Sequence, residues 1–79
     1  MELKEEIQRI VELLYQQNMT VAYKQLLICI PKIDAYIVGL EQEQQVELID
    51  VLRTALEMME QGDITTLADV LQYEFIEKL

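Results

Sequence analysis

Apolar residues recur every three or four positions along nearly the whole chain, which is the spacing of one face of an α-helix. Three interruptions divide this pattern: a polar stretch at 16–20, a glycine at 39, and a Gly-Asp pair at 62–63. The four segments between them cover about residues 2–17, 20–38, 41–61 and 63–79. Since no stretch alternates with the period of two that marks a half-buried strand, the sequence predicts an all-α fold.

The residues at the interruptions fit helix ends. Asn18 or Thr20 can accept a hydrogen bond from an unpaired backbone N–H at the start of the second helix, and Asp63 can do so for the fourth. Gly39 and Gly62 each follow a helix, where a left-handed glycine is common. We therefore expect both glycines in the left-handed conformation.

The second segment contains Pro31, which removes a backbone hydrogen bond to the carbonyl four residues earlier. We expect a kink in the second helix there. The alternative is two shorter helices, with Pro31 at the first position of the second one. Because short connections force neighbouring helices to run antiparallel, we predict one domain over residues 1–79, an up-down-up-down four-helix bundle.

The second and third segments carry more apolar residues than a bundle core requires. Each shows two apolar stripes, whereas one stripe of about 100° is enough for a helix in a closed bundle. On the third segment one stripe comprises Val46, Ile49, Leu52, Leu56 and Met59, and the other comprises Leu48, Val51, Ala55 and Met58. The side chains that we assign to the surplus are Leu27, Ile28, Leu48, Val51 and Met58. Such a surplus predicts a homodimer with the second or third helix at its interface.

The charge of the chain excludes some partners. The net charge is −9, and the six basic residues are scattered. We therefore expect binding neither to nucleic acid nor to an anionic membrane. The acidity favours solubility or a basic partner. The pairs Glu5–Arg9 and Glu74–Lys78 are spaced four apart, as helical ion pairs are. Residues 1–6 lack the order of a secretory signal, so we expect a cytoplasmic protein.

Residues that usually carry catalysis are scarce. The chain has no His and no Ser, and Cys29 is its single cysteine, which we expect to serve as a small buried hydrophobe. Asp34 and Asp69 sit between apolar neighbours and could bind a hard cation or act as acid and base. We expect instead that both lie at helix boundaries in water. The sequence thus predicts no catalytic residue, no metal site, no cofactor and no enzyme activity.

The stretch 62–75 reads Gly-Asp-Ile-Thr-Thr-Leu-Ala-Asp-Val-Leu-Gln-Tyr-Glu-Phe. It resembles the C-terminal part of a group of small acidic all-helical proteins of unknown function from Gram-positive bacteria, which typically read Leu-Ala-Asp-hydrophobic-Leu-Glu-Tyr-Glu-Leu there. This chain differs at Gln72 and Phe75. The resemblance implies a helical domain and no known activity, and it draws attention to Asp69, Tyr73 and Glu74.

These observations predict a small acidic helical interaction module of bacterial origin, adaptor-like or chaperone-like, that forms a homodimer and binds an unidentified protein partner. The alternative is an enzyme or ligand carrier that uses carboxylates and tyrosines in a bundle cavity. The predicted interaction surface comprises Leu27, Ile28, Leu48, Val51, Met58, Asp69, Tyr73 and Glu74.

Overall fold

A computed structural model describes residues 2–79, and within that range the chain is helical with no strand. The first three helices are α1 (Leu3–Tyr15), α2 (Met19–Val38) and α3 (Gln42–Gln61). The fourth helix begins as α4 (Ile64–Asp69) and continues through a π-helical segment (Val70–Phe75) and a 3-10 segment (Ile76–Lys78). The predicted all-α fold with four helical segments is confirmed.

The end of α3 follows the predicted chemistry. Gly62 adopts φ 73° and ψ 15°, which is the left-handed conformation expected of a glycine after a helix. Asp63 then caps α4, because its Oδ1 accepts a hydrogen bond from the Thr66 backbone N–H at 3.2 Å and its Oδ2 accepts one from the Thr66 hydroxyl at 2.8 Å. Together these residues turn the chain between α3 and α4.

The ends of the first two helices differ from the prediction. Gly39 is right-handed, at φ −82°, so the expected left-handed glycine there is wrong. Its N–H instead donates to the carbonyl oxygen of Tyr36, and the N–H of Leu40 donates to that of Ile37. Both hydrogen bonds reach back three residues, as in a 3-10 turn. After α1, Gln17 takes the left-handed conformation at φ 61°. Asn18 occupies the position before α2, but its side chain makes no capping bond.

Pro31 lies inside α2 and does not divide it. The helix is continuous from Met19 to Val38, so the alternative of two shorter helices is wrong. Pro31 itself is exposed. The kink at this residue stays a prediction.

The π-helical segment explains a burial pattern that ordinary helical spacing does not give. Val70, Leu71, Phe75 and Ile76 are all buried. A π-helix bonds residues five apart, so Val70 and Phe75 lie on one face, as do Leu71 and Ile76. At ordinary α-helical spacing, Val70 and Ile76 lie off the apolar stripe of this helix, which comprises Ile64, Leu67, Ala68, Leu71 and Phe75. The wider turn brings both pairs into the core.

One core cluster gathers side chains from all four helices, including Ile7 of α1, Leu26 of α2, Leu48 of α3 and Phe75 of the π-helical segment. α1 packs on α2, α2 on α3, and α3 on the fourth helix, which also returns to pack on α1. Each helix thus has two helical neighbours and one side that no other helix covers. In the described range, no helix is both long and apolar enough to cross a membrane.

Candidate functional site

Exposed apolar side chains concentrate on two helices. Of the nine large hydrophobic residues that are exposed within residues 2–79, seven belong to α2 and α3. They are Met19, Val21, Leu27, Ile28 and Val38 on α2, and Val46 and Ile49 on α3. The other two, Tyr15 and Tyr73, lie on α1 and on the π-helical segment. A candidate interaction site therefore lies on α2 and α3.

Two stripes of α2 flank its buried face. Lys32 Nζ lies 2.6 Å from Glu6 Oε1, so the side of α2 that carries Lys32 faces α1. At about 100° per residue, Ile28 shares that side with Lys32. Leu27 and Ile30 lie on the opposite flank, and α3 is the other helix that packs on α2. Leu27 and Ile28 are both exposed, and their side chains leave the helix about 100° apart, with Ile28 nearer the α1 side.

The side of α3 near α2 is identified by a hydrogen bond. Gln45 Nε2 donates to the backbone carbonyl oxygen of Val38 at 3.2 Å. Helical spacing places Ile49 and Leu56 on the same flank as Gln45. A recess of about 310 Å³ runs along this flank, and its walls are largely apolar. The residues that line it are Ile49, Leu52, Arg53, Leu56, Glu57 and Glu60.

These two flanks together form what we call the seam surface, which lies on the outside of the α2–α3 contact. Its apolar members are Leu27, Ile30, Val46, Ile49 and Leu56. Val46 is 62% exposed, Leu27 is 55% exposed and Ile49 is 45% exposed. None of the helices of the described chain covers these three side chains. The seam surface is therefore an apolar area available to another molecule.

The structure exchanges the roles that the sequence assigned to the two stripes of α3. Leu48 and Val51 belong to the core, at 1% and 8% exposed, and Met58 is half-buried against it. They therefore offer little surface to a partner. This corrects the prediction that they form part of the interaction surface. Val46 and Ile49 of the other stripe face outward instead, whereas Leu52 and Met59 of that stripe pack partly against the core. Because both stripes are apolar, their composition did not show which one packs on the other helices.

A second group of exposed residues lies where α1 meets the fourth helix. Asp69, Tyr73 and Glu74, all on the predicted interaction surface, are exposed. Tyr15, at the end of α1, adjoins them. Its pKa is raised above 10.0, first by partial desolvation and then by Tyr73 and Asp69, whose negative charge disfavours the phenolate. The sequence missed Tyr15 because nothing local links residue 15 to residues 69–74.

The ion pairs in the described range join different helices rather than turns of one helix. Besides the Lys32–Glu6 pair, Lys78 Nζ lies 3.4 Å from Glu47 Oε2. Lys78 thus pairs with α3. The spacing of four had instead predicted a pair with Glu74. The predicted Glu5–Arg9 pair is also not among those that residues 2–79 form. Exposed pairs of this kind are worth at most about 1 kcal/mol.

Cys29 is buried, as predicted for a small hydrophobe. Burial raises the pKa of its thiol, the negative charge of Glu6 raises it further, and Lys32 partly opposes both. A small recess of about 60 Å³ beside it is also lined by Arg9 and Gln25. A thiol with a raised pKa is a poor nucleophile, so this recess is not arranged for cysteine chemistry.

The two aspartates with apolar sequence neighbours lie on different helices. Asp34 lies inside α2, so the prediction that it sits at a helix boundary is wrong, whereas Asp69 is the last residue of α4; both are exposed. Within residues 2–79, no three His, Cys, Asp or Glu side chains gather closely enough to hold a metal ion. The seam surface and the Tyr15–Asp69–Tyr73–Glu74 group therefore remain as the candidate sites. No protein-family model, curated protein or solved structure matches this chain.

Proposed function

We propose that this protein is a small helical protein–protein interaction module, adaptor-like or chaperone-like. The observation that carries the proposal is the concentration of exposed apolar side chains on α2 and α3. Contiguous apolar patches on soluble proteins commonly mark interaction surfaces. A recess with apolar walls beside Ile49 and Leu56 gives that surface a shape that a side chain of a partner can enter.

The first partner that we propose is a second copy of the chain, bound through the seam surface. A standard interface covers about 800 Å² on each partner, which is roughly a sixth of the 5102 Å² surface of this chain. Full burial of an exposed aliphatic side chain contributes about 1.5–3 kcal/mol. Leu27, Val46 and Ile49 are 45–62% exposed, so burying the rest of each contributes about half of that value, which offsets part of the entropy lost on association.

A second surface would serve an unidentified protein partner. Tyr15 and Tyr73 expose their rings beside the carboxylates of Asp69 and Glu74. Tyrosine is enriched among the residues that dominate binding energy, and the net charge of −9 favours a basic segment. We propose that this group, termed here the tyrosine–carboxylate face, receives such a segment.

The proposal includes an arrangement and a context. We propose that the helices run up-down-up-down, supported by the short connections and by the cyclic order of helix contacts. A kink at Pro31 is supported by the missing N–H of that residue. A cytoplasmic location in a bacterium rests on the sequence, including the resemblance of residues 62–75 to small acidic proteins of Gram-positive bacteria.

Adjacent residues of α2 provide a matched test of the homodimer. Leu27 and Ile28 are 55% and 53% exposed, and their side chains leave the helix about 100° apart, with Ile28 nearer the α1 side. We expect Leu27→Glu to give a folded monomer by light scattering, because the charge falls within the seam surface. Ile28→Glu, with the same change in charge and size, should remain dimeric. A monomeric Ile28→Glu beside a dimeric Leu27→Glu would move the interface to the α1 side of α2.

The tyrosine–carboxylate face can be tested with a polylysine peptide as a basic probe. Its addition should shift the amide NMR signals of residues 69–74 and of Tyr15 more than those of the acidic residues on α3. Tyr73→Ala should reduce those shifts. Equal shifts at all acidic positions would mean that the peptide senses net charge alone, and the proposed face would then be wrong.

A further inference from the structure

Tyr15, at the end of α1, stands beside the first turns of the fourth helix with open space against its ring. A recess of about 130 Å³ separates the two helices there, and none of its lining residues is charged. They are Leu14, Tyr15, Gln17, Ile64, Thr65 and Ala68. Because Tyr15 is 54% exposed, its ring can be contacted both from the recess and from the solvent.

A carboxylate and a second aromatic ring adjoin Tyr15. Asp69 directly follows the recess residue Ala68, and Tyr73 comes four residues later, in the π-helical segment, where it is 60% exposed. The pKa of Tyr15 is raised by partial desolvation first, and then by Tyr73 and by the charge and hydrogen bonding of Asp69. Both side chains therefore lie close to the Tyr15 hydroxyl group.

The negative charge at this place has no basic neighbour among the described residues. Neither Asp69 nor Glu74 belongs to the ion pairs that the described helices form. Arg9 lines the recess between α1 and α2, on the other flank of α1. Lys4 lies about three helical turns before Tyr15. The face thus combines exposed aromatic rings with unpaired carboxylates, and a cation is complementary to both.

We propose that the tyrosine–carboxylate face binds an arginine side chain of the basic segment, with the guanidinium on the Tyr15 ring and the aliphatic stem in the recess. The proposal rests on the function proposed above for this face and names the side chain that it recognises. A guanidinium is planar, so it stacks on an aromatic ring while its forked N–H groups donate to a carboxylate such as that of Asp69. The lysine ammonium is a compact, strongly hydrated charge without that plane or fork.

Two peptides of equal length and charge, hexa-arginine and hexa-lysine, separate recognition of arginine from general attraction to an acidic protein. Their dissociation constants are read by NMR from the ring signals of Tyr15 and Tyr73 at one salt concentration. We expect hexa-arginine to bind at least about fivefold more tightly, as a cation–π contact of about 1 kcal/mol provides. The δ-methylene protons of the bound arginine should shift upfield, because they lie over an aromatic ring.

Matched variants locate the arginine on this face. Tyr15→Leu removes the ring and keeps apolar bulk, so the preference for hexa-arginine should fall below about twofold, whereas Tyr15→Phe should retain it. Asp69→Asn should weaken the binding of hexa-arginine at least about fivefold. Asp34→Asn makes the same change of charge at an exposed position of α2 and should have a much smaller effect. Because Tyr15 and Asp69 are exposed, the variants should retain their helical circular dichroism.

The outcomes separate this proposal from the function on which it rests. Equal dissociation constants for the two peptides would overturn the recognition of arginine alone, because the face would still receive a basic segment. A preference for hexa-arginine that survives Tyr15→Leu would also overturn it, since the arginine would then lie elsewhere. Ring signals of Tyr15 and Tyr73 that respond to neither peptide would overturn both the recognition of arginine and the proposed face.

Discussion

Two substitutions on α3 test which of its apolar stripes forms the core. Val51 is 8% exposed and belongs to the core cluster, whereas Ile49, two positions earlier, is 45% exposed. Val51→Glu replaces a buried aliphatic side chain with a carboxylate that finds no cationic partner among the core residues. Ile49→Glu sets the same carboxylate in water. The chemical change is closely similar, so the difference in stability reports the environment.

The magnitudes differ by several kcal/mol. Loss of the buried Val51 side chain removes about 1.5 kcal/mol or more of transfer free energy. Burial of an unpaired carboxylate adds several kcal/mol, lowered where the group can reach water or become protonated. We expect Val51→Glu to cost about 3–5 kcal/mol in total. Domains of this length are stable by only about 4–12 kcal/mol, so the variant should lose a large part of its stability and unfold at a much lower urea concentration.

Ile49→Glu should change the stability of the single chain by no more than about 0.5 kcal/mol, as is usual for surface substitutions. Urea unfolding followed by circular dichroism gives both values. The measurement belongs at a low protein concentration, because association would add to the apparent stability. An Ile49→Glu variant less stable than Val51→Glu would mean that α3 is rotated, with Val46 and Ile49 in the core, and the seam surface would not exist.

Three further substitutions test local features. Gly62→Ala should cost about 1 kcal/mol, because φ is 73° there and an added Cβ meets no atom within 4 Å, so that only backbone strain opposes it. Asp63→Ala should cost about 1 kcal/mol by removing the α4 cap; both values come from urea unfolding at pH 7, and a neutral result would refute either assignment. The hydrogen bond and charge of Glu6 raise the pKa of Lys32 above 10.5, so its stabilisation is complete below that pH and is lost as the pH rises through the raised value. Unfolding midpoints should therefore fall in strong alkali, less steeply in Lys32→Gln, and an equal slope would contradict the pairing.

Local chemistry predicted much of the backbone. The helices lie within one or two residues of the predicted segments, because polar stretches and glycines interrupt an otherwise unbroken helical period. Gly62 is left-handed and the Asp63 side chain caps α4, as their residue types predicted. Gly39 does not, because glycine permits the left-handed conformation without requiring it. The left-handed turn after α1 falls on Gln17 instead, a residue with no local preference for it.

Features that depend on packing were beyond the sequence. The π-helical segment arises where four buried side chains of the last helix must all reach the core, and no residue type signals such a turn. Likewise, Leu48 and Ile49 have nearly equal hydrophobicity, so their contacts with other helices decide which is buried. The sequence placed the surplus apolar side chains on the second and third helices, and the exposure of Leu27 agrees with that prediction. On α3, however, the exposed residues are Val46 and Ile49.

The most direct test of the interaction surface is the solvent access of its own side chains in solution. A soluble paramagnetic agent broadens the NMR signals of methyl groups that it can approach. The Ile49 methyls should become protected as the protein concentration rises from the low micromolar range to about 100 μM. The Ile28 methyls, which are also exposed but lie on the α1 side of α2, should stay accessible throughout. Ile49 methyls as accessible at the highest concentration as at the lowest would contradict the account.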